Sequence, residues 1–268
     1  MYLFYQINKP IELKFFIRGK ITIRGCFMKQ KSISYIALSI NILLILANIL
    51  INIFYQYLGF DLTLKFIGSA IFALLGLINL IFVLCTNRKN LVFSIVTAVG
   101  LILGMSGDIA IEYEFIIGAI LFALGHVCFL IGFYFIEKFH WQDLVVSLGL
   151  AIPAALFIIF FQGFSFGDEI LRYVCAIYAV IICFMFGKSI TNLFFKRSFL
   201  RILLLVAATL FVFSDSFLLI ELFTKPYKVW TGQICMALYY PAMLCFAVSI
   251  YHEFIENIYK IAAKPKDF

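Results

Sequence analysis

Apolar positions in this chain neither alternate nor recur every third or fourth residue; they run in long blocks parted by short polar breaks. Eight blocks lie at 34–54, 63–85, 91–108, 114–136, 144–161, 169–190, 199–220 and 230–251, and each carries few charges. At about 1.5 Å of rise per residue, a helix of about 20 residues crosses a hydrocarbon core of roughly 30 Å, whereas the apolar runs of soluble cores are shorter. The pattern predicts an all-α fold: a polytopic integral membrane bundle of eight transmembrane helices. Breaks such as Thr86–Asn90 and Glu137–Asp143 are short, so sequential helices should be antiparallel neighbours in one membrane domain over 34–252. A basic arm (1–33) and a basic tail (253–268) flank that domain.

Composition removes the soluble alternative. With 65% hydrophobic and 13% charged residues in 268, no fold of this length could keep its apolar side chains from water. Charge then sets orientation, because Lys and Arg near span ends are retained on the cytoplasmic side. Seventeen of the twenty-one Lys and Arg fall in one alternating set: the arm, Arg88, Lys89, Lys138, the group Lys188, Lys196, Arg197 and Arg201, and the tail. The opposite set has Lys65, Arg172, Lys225 and Lys228 and collects Asp61, Glu112, Glu114, Asp168, Glu169 and Glu221. Both termini are therefore expected in the cytoplasm.

The net charge of +7 is dispersed over helix ends without aromatic platforms, which suits anionic lipid and not nucleic acid. The seven Cys lack C-x-x-C spacing and lie almost entirely in apolar blocks, so they read as small buried side chains, not as a disulfide framework or metal knuckle. Met28-Lys29-Gln30-Lys31 has the form of a translation start, which makes residues 1–27 an upstream extension or a basic interfacial segment. A signal peptide over 28–50 is disfavoured by its length and by the lack of a small-x-small cleavage site.

An ionisable side chain in hydrocarbon costs on the order of 3 kcal/mol even on mild insertion scales, so each one asks for a reason. Asp108 ends the third block, His126 lies inside the fourth and Asp215 inside the seventh, flanked by Ser214 and Ser216; Arg172 and Glu221 sit near span ends. The plain reading of each is interhelical glue or snorkelling. It suits Arg172, Glu221, Glu112, Glu114 and His126 taken singly, but not Asp215, which is several residues from any surface. Blocks three and seven run in the same direction, so Asp108 and Asp215 should reach the same membrane level, with Asp215 the deeper. His126 lies farther down its own block, roughly 18 Å by helical rise.

An offset of 107 residues places Leu103 on Leu210, Asp108 on Asp215, Glu114 on Glu221 and His126 on Gln233, as parallel internal repeats would. Gly100, Gly104 and Gly107, with Gly118 and Gly125 in the next block, should let helices three and four approach closely. In the eighth block Tyr239-Tyr240-Pro241 sets two phenols and a kink at mid-depth near Gln233.

The stretches Ser106-Gly107-Asp108-Ile109, Phe122 to Leu130 around Gly125-His126, and Leu210 to Leu218 around Ser214-Asp215-Ser216, followed by Tyr239-Tyr240, resemble the bacterial YhhN and eukaryotic TMEM86 group of lysoplasmalogenases over residues 34–252. That resemblance implies an ether hydrolase that cleaves the vinyl ether of lysoplasmalogens, yielding a fatty aldehyde and glycerophosphoethanolamine or glycerophosphocholine. It implies a bacterial inner membrane and, as partners, a lysophospholipid substrate and membrane lipid, with a homodimer compatible. The chain departs from the group's pattern at Met243 after Ala242, where Gln is common, and at Phe66 after Lys65, where Pro is common.

Such a reaction needs an acid to protonate the alkene carbon and an anion to stabilise the oxocarbenium ion and activate water, much as glycoside hydrolysis does. Asp215 is assigned as the acid and Asp108 as the ionised partner, with the roles interchangeable and His126 orienting one of them. Ser106, Ser214, Ser216, Tyr239, Tyr240, Gln233, Glu112 and Glu114 are candidate substrate contacts; Tyr113, Glu221, Trp230, Lys225 and Lys228 could meet the headgroup. No cofactor or metal is called for, since His140 and His252 lie near the opposite face. The rivals are a small transporter or proton relay built on the same Asp and His residues, and a scaffold in which they are glue.

Overall fold

The computed structural model describes residues 23–58, 61–85, 90–225 and 229–262. The arm before Ile23, Arg88, Lys89, Lys228 and the tail cations Lys264 and Lys266 lie outside the described residues. Eight helices account for nearly all of the rest: α1 (Ile23–Tyr57), α2 (Leu62–Leu84), α3 (Leu91–Ala110), α4 (Phe115–Ile136), α5 (Trp141–Phe160), α6 (Glu169–Phe195), α7 (Phe199–Phe223) and α8 (Val229–Ala262). All eight are long and apolar enough to cross a membrane.

The helix limits follow local chemistry. Asp61 accepts a hydrogen bond from the Leu64 amide, Asp168 from Ile170 and Ser198 from Arg201, so α2, α6 and α7 each begin at a side-chain cap that satisfies an otherwise free amide. At the start of α5 the Asp143 carboxylate accepts from the His140 amide at 2.8 Å. α1 and α8 overrun their apolar blocks because neither Pro nor Gly stands between 26 and 57 or between 242 and 262.

α8 is the centre of the bundle. It packs on α7, α2, α1 and α3, while α4 joins α3 to α6 and α5 rests on α6 alone. Accordingly the membrane span of α8 is 56% buried and that of α5 22%. The outward side chains, such as Leu43 and Ile53 on α1 or Val145, Ile152 and Leu156 on α5, are large and apolar, as a lipid-facing surface requires. Inside, the Phe129 and Phe246 rings stack at 3.9 Å, which locks α4 onto α8.

The predicted glycine seam is present between α3 and α4. A Cβ on Gly125 would lie 3.3 Å from the Gly100 carbonyl, one on Gly100 would strike the Phe129 ring at 2.5 Å, and one on Gly107 would meet Phe122 at 3.0 Å. A second seam joins α5 to α6, where a Cβ on Gly187 would fall 2.8 Å from the Ser147 Cα.

Among the described residues the backbones of α4 and α7 do not come close, nor do those of α5 and α7 or of α3 and α7; α4 and α7 meet through side chains such as His126 on Phe211 and Phe115 on Phe223. The first two gaps leave room for a chamber beside α6. Across the third gap α8, which packs on both α3 and α7, stands between them.

Two basic residues assigned to loops are inside the protein. Lys188 is fully buried and Arg201 is 6% exposed, because α6 continues to Phe195 and leaves Lys188 two turns within the helix. Lys188 Nζ donates to Asp143 Oδ2 at 2.7 Å and Thr191 Oγ1 to Asp143 Oδ1 at 2.5 Å, tying α6 to α5. Arg201 donates to Glu137 Oε2 at 2.7 Å and to the Asn192 carbonyl at 2.9 Å, tying α7 to the α4–α5 turn and the end of α6. Burial works against the Glu137 charge, but the hydrogen bonds from Arg201 and His140 outweigh it and hold the carboxyl below the usual glutamate range.

Removing one partner of a buried pair strands the other charge, so Lys188→Met should destabilise the detergent-solubilised protein by about 3–5 kcal/mol. Asp143→Leu together with Lys188→Met should recover most of that loss in the same thermal melts. Gly187→Ala should lower the melting temperature, because its methyl meets Ser147 backbone. Gly149→Ala should not, because nothing lies within 4 Å of its Cβ position.

Candidate active site

Six helices bring polar groups to one end of the bundle, near the α1–α2, α3–α4 and α7–α8 connections. Lys65 and Ser69 stand one turn apart on the buried face of α2. Asp108 is on the buried face of α3 with Gly104 and Gly107, and the missing side chains admit Tyr239 and Met243 of α8 and Phe122 of α4. α4 carries His126, α6 Tyr178, and α7 Ser214 and Asp215.

Asp108 is 2% exposed. Its Oδ2 accepts from Ser69 Oγ at 2.5 Å and from Tyr239 OH at 2.7 Å. Tyr240 OH donates to the Lys65 carbonyl at 3.0 Å, and the Lys65 ammonium pairs with the Glu112 carboxylate. Three helices, α2, α3 and α8, are thus fastened around one carboxyl group, each hydrogen bond replacing a contact with water.

Asp215 has a different set of partners. Tyr178 OH donates to its Oδ2; His126 Nε2 lies 2.8 Å from Tyr178 OH and 3.5 Å from the same carboxylate oxygen. The imidazole is held by edge contacts, its centroid 4.5 Å from the Phe211 ring and 5.5 Å from the Tyr178 ring. His126, placed farthest from the aspartates by its sequence position, therefore belongs to the Asp215 cluster, because the Tyr178 hydroxyl spans the remaining distance from α6.

Two cavities meet at Asp215. The larger, about 230 Å³, lies among α4, α5, α6 and α7 and is lined by Phe115, Phe157, Ile158, Val174, Leu219 and other apolar side chains, with Asp215, Ser216 and Tyr178 the polar exceptions. The smaller, about 30 Å³, is lined by Lys65, Asp108, Ser214, Asp215, Cys235 and Tyr239 among others. Ile111, Phe122, Asp215 and Leu218 line both and form the partition. A space of about 30 Å³ with several polar walls has room for a water molecule.

The expected site residues divide. Asp108, Asp215, Ser214 and Tyr239 line the small cavity, and Ser216 lines the large one. Tyr240 acts one step back, through the Lys65 carbonyl. Glu112 pairs with Lys65, and Glu114 is exposed at the start of α4. Ser106 turns to its own helix, donating to the Ile102 carbonyl at 2.9 Å, and Gln233 lines neither cavity, its carbonyl lying 3.5 Å from Gln56 Nε2. Asp215 is also not the more enclosed aspartate: its side chain is 15% exposed, because the gap between α4 and α7 opens on it. Arg172 donates to the Ile159 carbonyl at 2.9 Å and plays no part in either cavity.

Lys65, Ser69 and Tyr178 were not identified as site residues from the sequence. Lys65 is the lone charge of its block, and that signal could have marked it; Ser69 and Tyr178 are ordinary residues in a membrane helix and carry none. Among the described residues, no three His, Cys, Asp or Glu side chains gather as a metal site.

Comparison with curated proteins and with solved structures returns no match. The YhhN family model matches residues 68–250, more than half of the chain, from α2 into α8, and takes in both aspartates, His126, Tyr178 and every small-cavity residue but Lys65. The chain belongs to the YhhN family.

Proposed function

We propose that this protein is a lysoplasmalogenase-like membrane hydrolase, cleaving the vinyl ether of an alkenyl glycerophospholipid that has a single chain. The observation that carries this reading is the partition: one carboxyl group, Asp215, faces both an apolar chamber and a small polar cavity shared with Asp108. A substrate for such a site joins a long apolar chain directly to the bond that reacts with water. Family membership supports the same reading.

In this mechanism the chain occupies the large cavity and the vinyl ether lies at the partition. Asp215 gives its proton to the outer alkene carbon, and the C=C electron pair forms the new C–H bond. Positive charge develops at the ether carbon, across the partition from Asp108, whose Oδ2 accepts from two hydroxyls as a carboxylate acceptor does. Water between Asp108 and Tyr239 adds to that carbon and passes a proton to Asp108. The hemiacetal then breaks: its hydroxyl proton returns to Asp215, the Asp108 proton goes to the departing glycerol oxygen, and both carboxyls regain their starting states. The aldehyde leaves through the apolar side.

Lys65 and Glu112, with exposed Glu114 beside them in sequence, offer opposite charges for a phosphate and an ethanolamine or choline. With both termini in the cytoplasm of a bacterium, this end of the bundle faces outward across the inner membrane.

Purified protein in detergent, given lysoplasmalogen, should release fatty aldehyde, and Asp108→Asn and Asp215→Asn should each slow release by at least about a hundredfold while melting normally. No aldehyde from the unaltered protein, or full rates from both folded variants, would overturn the assignment; proton or solute flux in proteoliposomes would favour the relay. Ala154→Phe, which fills the large cavity from the peripheral α5, should raise KM for long-chain substrate and spare a short-chain analogue.

A further inference from the structure

His126 and Tyr178 hold no position from which they face the small cavity, yet they form a hydrogen-bonded chain that ends on Asp215. The direction of that chain can be worked out. A tyrosine hydroxyl has one proton, and Tyr178 uses it toward Asp215 Oδ2. Its oxygen then takes the bond from His126, which requires a proton on Nε2. His126 Nδ1 is buried with no hydrogen-bond partner, and an unpaired lone pair there is less costly than an unpaired N–H, so the Nε2–H tautomer is the one the site favours. The order is His126 Nε2–H to Tyr178 OH to Asp215 Oδ2, and every link comes from a different helix: α4, α6 and α7.

We infer that Tyr178, held by His126, is a positioning residue that occupies Oδ2 of Asp215 and so assigns the transferable proton to Oδ1. A carboxylic acid carries its proton on either oxygen, and only one of the two orientations can point the O–H at a substrate. With Oδ2 already an acceptor, the acid proton resides on the other oxygen. The same donor chain keeps the carboxyl from rotating, which the open gap between α4 and α7 would otherwise allow. Asp108 has the matching arrangement, both of its donors falling on Oδ2, so each aspartate is left with one oxygen for chemistry.

This inference rests on the proposed hydrolysis for its kinetic consequence but not for its spectroscopic one, so the two can fail separately. The infrared C=O stretch of protonated Asp215, recorded in H2O and D2O and identified by its loss in Asp215→Asn, reports hydrogen bonding at Oδ2 without any substrate. In Tyr178→Phe the band should move to higher frequency, and in His126→Leu it should move the same way by less. With lysoplasmalogen, Tyr178→Phe should lower kcat by about a hundredfold and leave KM unchanged, since the ring still lines the apolar chamber. A band unmoved in Tyr178→Phe, the absence of any Asp215-dependent band across the pH range, or a loss confined to KM would overturn the inference. If the band shifts while the unaltered protein releases no aldehyde, the chain stands and the hydrolase reading falls.

Discussion

Hydrocarbon offers an ionisable side chain neither water nor counter-ion, so every charge set below the surface of this bundle must find its partner on another helix. That constraint accounts for much of how the helices are joined. Lys188 and Asp143 clasp α6 to α5, Arg201 and Glu137 bind α7 to the α4–α5 turn, and Asp108 draws α2 and α8 onto α3. Lipid-facing helices gain little from apolar contact with one another, because lipid tails are as apolar as leucine; close packing at small residues and polar links must hold them. The Gly100–Gly125 and Gly187–Ser147 contacts supply the first of these and the buried pairs the second.

The two ends of the bundle use this chemistry differently. At the Asp143 end each charge meets an opposite charge and a hydroxyl or carbonyl beside it, and neither of the two cavities reaches the cluster. At the Asp108 end the carboxyls are met mainly by hydroxyls, and they border open space. A hydroxyl can hold a carboxyl in place without cancelling its charge, which suits a group that must give up or accept a proton. The difference separates the Asp143 clasp from the candidate site more clearly than burial does, since Asp143 and Asp108 are almost equally enclosed.

The gap that makes the site is a consequence of helix order. α4 and α7 both pack along α6 and meet each other through side chains such as His126 and Phe211 without close backbone approach, so α6 props their backbones apart and the large apolar chamber fills the wedge. Asp215 sits at the inner edge of that wedge, where its exposure is explained by the chamber itself. The same α6 supplies Tyr178, which reaches Asp215 on α7 and His126 on α4 and closes with hydrogen bonds the space that packing leaves open.

Eight spans and their order were legible in the chain, because hydrophobic length is a property of local sequence and a membrane leaves the backbone no alternative to helix; their limits were not, since α1, α6 and α8 run past their apolar blocks. Asp108, His126 and Asp215 were legible for the same reason: a polar group in an apolar block stands out without any knowledge of its neighbours. What the tertiary structure alone decided is who meets whom. Ser69 and Tyr178 look like any serine or tyrosine in a span, Lys188 and Arg201 look like loop cations, and Gln233 and Ser106 look like site residues. Their roles depend on helix rotation and on which helices touch, and these are set by interhelical packing and pairing between partners far apart in sequence, 131 residues for Asp108 and Tyr239 and 175 for Lys65 and Tyr240.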